Sequence, residues 1–151
     1  MLPYYEIGQT TVPLGLPILH SKPGSRNRLL LDFDGHTTDS SSQWEAFKAK
    51  AYSLDRDFST FSSNEQAQII LTWQRVVEDF SVFDIDVTTD PSVPMNQRTA
   101  HCLITHTQQT NGRNMPVSEA GGVAYLGTFN DPDFAMYMPA LGKHYDSTPS
   151  Q

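Results

Sequence analysis

Over residues 63–90 the apolar side chains change period, and that change constrains the fold more than any other feature of the chain. Ile69, Ile70, Trp73, Val76, Val77 and Phe80 recur at the three-and-four spacing of one helix face. Phe83, Ile85 and Val87 then alternate with Asp84, Asp86 and Thr88, the period of a half-buried strand, and Pro91 stops the run. Ser62 and Glu65 have the spacing of a capping box, which predicts a helix from Ser63 to Phe80. Upstream, Arg28–Phe33 is a continuous apolar run of strand length, suited to burial on both faces. Strand, helix and strand in that order predict a parallel pair joined by a right-handed crossover.

The rest of the chain adds shorter elements. Residues 1–27 are rich in proline and glycine and read as an extended lead-in. "SSSQWEAFKAKAY" carries a second capping-box spacing, Ser42 and Glu45, and predicts a short helix. "AHCLITHT", "VAYLGTF" and "DFAMYMPAL" predict three further strands, with a long polar loop, "TNGRNMPVSEAGG", before the second of them. The fold class expected is therefore α/β: a small mixed sheet of about five strands with one long and one short helix. The main body spans residues 28–142, and residues 143–151 read as a loop or tail.

Composition limits the function classes. A 38% hydrophobic content is enough for a core. The formal charge is −7 with ten scattered basic residues, which argues against a nucleic-acid partner. No apolar stretch approaches the roughly 20 residues of a membrane span. The first twenty residues hold three prolines and no basic start, unlike a signal peptide. A cytoplasmic protein or an internal piece of a longer precursor is expected. Cys102 is the single cysteine, so no internal disulfide forms, and its apolar setting reads as a packed thiol.

"LLLDFDGHTT" is the most chemical-looking segment. Asp32 and Asp34 end the first strand as the aspartate pair of haloacid-dehalogenase-like phosphatases does, with Asp32 as nucleophile and Asp34 as acid/base. The supporting parts of that chemistry are weak. His36 replaces the threonine, Thr105 and Lys143 are the nearest substitutes for the later motifs, and Asp131, Asp133 and Asp146 lie in loop-like sequence. Asp and Gly also suit a turn leaving a strand.

Metal and nucleophile signatures are incomplete too. No histidine is followed by glutamate. His101, Cys102 and His106 crowd one strand, but His101 faces away from the other two. Asp84 and Asp86 read as a solvated strand face. Whether Asp32, Asp34, Asp84 or Asp86 holds a structural cation is left open. No catalytic residue and no metal ligand is assigned from the residues alone.

Several blocks together resemble one family. "LHSKPG", "LLLDFDGHTT", "AYSLDRDFSTFSSNE", "WQRVVEDFSVFDIDVTTDP" and "GGVAYLGTFN" look like the N-terminal part of bacterial secreted zinc metallopeptidase domains of the metzincin (zincin) type. The resemblance covers residues 20–142. It implies an α+β zincin-like order: strand, long helix, strand, strand, an antiparallel edge strand and a last strand, followed by the active-site helix. It also implies that Gly122, Val123, Ala124, Tyr125 and Leu126 lie on that edge and pair with an extended peptide or protein substrate. The zinc of such domains sits on a His-Glu-x-x-His-x-x-Gly-x-x-His helix expected after "PALGKHYD", which does not occur in these 151 residues. No cofactor is therefore assigned to this chain, and peptide hydrolysis is expected of the full domain only. A non-catalytic peptide-binding module is the other alternative.

Overall fold

The computed structural model describes residues 13–38, 46–117, 119, 121–124 and 140–143. Its centre is a five-stranded sheet built from β1 (Asn27–Asp32), β4 (Ile85–Thr88), β5 (Thr99–Thr105), β6 (Gly122–Val123) and β7 (Ala140–Lys143). The strand order is β4-β1-β5-β7-β6. β1 pairs in parallel with both β4 and β5, β7 pairs in parallel with β5, and β6 alone runs antiparallel, against β7. A small antiparallel ladder, β2 (His36–Thr37) with β3 (Lys48–Ala49), lies beside it. The mixed α/β class and the five-stranded sheet are as expected.

The helix α1 runs Ser63–Asp79, with Phe80 as its C-cap. Its start is set by the capping box: Ser62 Oγ accepts from the Glu65 amide at 3.2 Å, and Glu65 Oε1 accepts from the Ser62 amide at 3.3 Å. One face of α1 covers one face of the sheet. Ile69 is fully buried there with Leu31, Phe33, Tyr52, Phe61 and Val87, and Trp73, Val76, Val77, Phe80 and Cys102 pack around them. Trp73 is anchored further by an Nε1–H bond of 2.8 Å to the Val87 carbonyl. Ile70 departs from the expected stripe and is exposed. The packed-thiol reading of Cys102 agrees with its place in this layer, where burial pushes its thiol up to about 11.

The opposite face carries a second core of Phe47, Ala49, Leu103 and Met115, with Val123 against it. Here the expected short helix is corrected. Lys48–Ala49 is a strand, and Phe47, Ala49 and Ala51 are buried between less buried lysines. Phe-Lys-Ala-Lys-Ala satisfies a two-residue period, and a sheet face offered that alternation a partner. Ser42 and Glu45 lie outside the described residues.

The lead-in runs beside β4 and covers that edge of the sheet. Ser21 donates its amide to the Val87 carbonyl at 3.1 Å, and Thr89 donates to the Leu19 carbonyl at 3.1 Å. An edge capped in this way is closed to further pairing. β7 ends at Lys143, the first residue of the expected tail. Among the described residues no helix is long and apolar enough to cross a membrane.

Candidate functional site

Two features stand out: a buried polar cluster where β1 ends, and the β6 edge of the sheet. The cluster follows from register. Leu30 of β1 is level with His101 of β5, and Asp32 with Leu103, so Asp32 and His101 share the sheet face turned away from α1. The chain then turns through Asp34 and Gly35 into β2, which brings His36 over the same place. The turn is an Asp-stabilised one: the Asp34 amide donates to Asp32 Oδ1 at 3.2 Å. Gly35 is required in it. Its φ is +86°, and a Cβ there would sit 2.8 Å from the Ala49 carbonyl oxygen.

His101 Nε2 lies 2.6 Å from Asp32 Oδ2, and His36 Nδ1 lies 3.9 Å from the same oxygen. The two imidazoles meet edge to face with centroids 4.7 Å apart. One ligand-type atom from each of Asp32, His36 and His101 lies within 4.8 Å of the other two. All four side chains are buried, including Asp34. A side-chain hydrogen bond joins the Asp32 and Asp34 carboxyls. Asp34 Oδ2 and His101 Nδ1 are buried with no hydrogen-bond partner.

Burial governs the charge state. It raises the Asp32 carboxyl, and it raises that of Asp34 to about 10 with the help of repulsion from Asp32. Burial and the neighbouring His101 bring His36 down to about 3, and burial brings His101 down to about 4. The histidines are therefore neutral near pH 7, and a proton is shared in the short contact between His101 Nε2 and Asp32 Oδ2.

The cluster includes one residue that sequence reasoning set aside. His101 does face away from Cys102, which packs under α1, and from His106, whose ring meets Phe58. Its partners lie instead on β1 and β2. Asp86, read as solvated, is corrected: it is 3% exposed and accepts from Lys22 N at 3.0 Å, while His20 Nδ1 sits 2.7 Å from its other oxygen. The lead-in folding back over β4 is the cause. Asp84 is held at the surface by Ser25 Oγ, at 2.6 Å.

At the β6 edge, Gly122 pairs with Gly142 and Val123 with Leu141. Gly122 and Ala124 are exposed, and Val123 packs inward. Tyr125 and Leu126, the remaining expected edge residues, lie outside the described residues, as do Asp131, Asp133, His144 and Asp146. Compared with models of known protein families, with curated proteins and with solved structures, the chain matches none.

Proposed function

We propose that this chain is the sheet-forming portion of a zincin-type zinc metallopeptidase domain, and that its β6 edge holds an extended peptide substrate. The observation that carries this reading is β6 itself. Among the described residues it is the single antiparallel strand of the five-stranded sheet and the last in the strand order. An edge strand presents unpaired amides and carbonyls to one side, and an extended peptide can complete them. With the short β2–β3 ladder set aside, the chain order supports the same reading: strand, long helix, strand, strand, antiparallel edge strand, strand. That is the order implied by the resemblance of residues 20–142 to zincin domains.

Peptide hydrolysis belongs in this reading to the whole domain. These 151 residues contain no His-Glu-x-x-His run, so they supply neither that zinc site nor its water-activating glutamate. Residues 122–124 would align the substrate backbone, and Val123, packed on Phe47, Leu103 and Met115, would keep the edge rigid. The phosphatase alternative would use Asp32, whose Oδ2 is engaged by His101 and whose Oδ1 accepts from the Asp34 amide. Such an arrangement suits holding a proton or a cation more than attacking phosphorus.

Two assays on the 151-residue chain test the proposal. Extended peptides are expected to bind, and Ala124→Pro, which disrupts the edge, is expected to abolish binding. With added Zn²⁺ the chain is expected to leave a protein substrate intact. Peptide binding indifferent to Ala124→Pro, or cleavage sensitive to a chelator, would overturn the assignment.

A further inference from the structure

The geometry points to a second, separate site: Asp32, His36 and His101 form a binding site for one divalent transition-metal ion, which ties the β1–β2 turn to β5. The inference does not depend on the β6 edge or on peptidase chemistry. It rests on convergence. Three ligand-type side chains from three strands bring one atom each within 4.8 Å of the others, all of them buried.

The distances fit an ion after a small adjustment. Donor atoms about 2.0–2.1 Å from a tetrahedral ion stand about 3.4 Å apart. His101 to Asp32, at 2.6 Å, is closer than that, and His36 to Asp32, at 3.9 Å, is wider. Both lie within about 1 Å of the required separation. A buried atom without a partner, Asp34 Oδ2, is a second and independent sign that the protein alone does not complete this cluster. Asp34 shares a hydrogen bond with Asp32 and places a further carboxyl group beside it.

Chemistry selects the ion. Two imidazoles and a carboxylate suit zinc, cobalt and related first-row metals. Calcium and magnesium want a shell of oxygens that this cluster does not supply. A bound cation is a natural counter-charge for the buried Asp32–Asp34 carboxyl pair.

The test uses the whole chain, stripped with a chelator and titrated with Zn²⁺ or Co²⁺. Expected are one ion per chain, a Co²⁺ absorption spectrum of a low-coordinate nitrogen–oxygen site, and a raised melting temperature. His101→Gln and His36→Gln are each expected to weaken binding by more than about a hundredfold, since loss of outer-sphere partners alone costs about 10–100-fold. His20→Gln and His106→Gln are expected to bind as the parent does. No stoichiometric uptake, uptake lost in His20→Gln and kept in His101→Gln, or the spectrum of an all-oxygen octahedral Co²⁺ would overturn the assignment. If His101→Gln fails to fold by circular dichroism, His36→Gln and the parent Co²⁺ spectrum decide.

Discussion

His101 and Asp32 stand 69 positions apart in the chain, yet the imidazole Nε2 of one lies 2.6 Å from the carboxyl Oδ2 of the other. The bond crosses between neighbouring parallel strands and is buried on both sides. It should be energetically coupled. Removing one partner strands the other in a low-dielectric interior, which costs about 1–3 kcal/mol. His101→Leu and Asp32→Leu are each expected to destabilise the fold by that order in urea denaturation. The double variant should fall short of the sum by more than about 0.5 kcal/mol. Simple additivity would show that the two side chains act separately.

The turn above that bond depends on one glycine. Gly35 has φ +86°, and a side chain there meets the Ala49 carbonyl at 2.8 Å and the Ala51 amide nitrogen at 3.1 Å. Gly24 has a similar φ of +89° with nothing within 4 Å. Gly24→Ala is expected to cost about 1 kcal/mol from backbone conformation alone. Gly35→Ala should cost about 2–3 kcal/mol, because β3 must also shift. The comparison of the two by thermal melts checks the close approach.

The helix cap gives a cleaner local prediction. Ser62→Ala removes the acceptor of the Glu65 amide and is expected to cost about 1 kcal/mol. Ser63→Ala, one position on and exposed, should change stability by less than about 0.5 kcal/mol. Equal effects of the two would contradict the assigned cap.

His20 makes the lead-in pH-sensitive. Burial acts to lower its pKa, and hydrogen bonds to Asp86 and Asp90 outweigh burial, so it is raised above 6.5. A histidine whose folded value is raised contributes stability that is full below its unfolded value. That contribution disappears as pH rises through the folded value. The stability advantage of the parent over His20→Gln is therefore expected to be larger below about pH 6 than above about pH 8. An advantage that grows with pH would reverse the sign and contradict the clamp on Asp86 and Asp90.

Local rules made much of this fold legible. The Ser62–Glu65 box and the Ile69–Phe80 stripe define α1 without tertiary information, and the alternation from Phe83 places β4 nearly to the residue. The short segment Phe47–Ala51 fits two periods, and only the sheet face under Phe47 and Ala49 settles which applies. The cluster was hidden for a different reason. His101 meets Asp32 because β1 and β5 pair with Leu30 level with His101, a register no local spacing encodes. Asp86 escapes a local reading in the same way, since the chain that buries it returns from His20 and Lys22. A hint did exist: a histidine on the inward face of a strand needs a polar partner, and Asp32 ends another strongly apolar strand.

The reading of the sheet edge is tested most directly by following backbone amides by NMR while an extended peptide is added. The account predicts that the Gly122, Val123 and Ala124 signals shift together, saturate, and are protected from exchange. Shifts confined to other parts of the sheet, or no saturable change along β6, would contradict it.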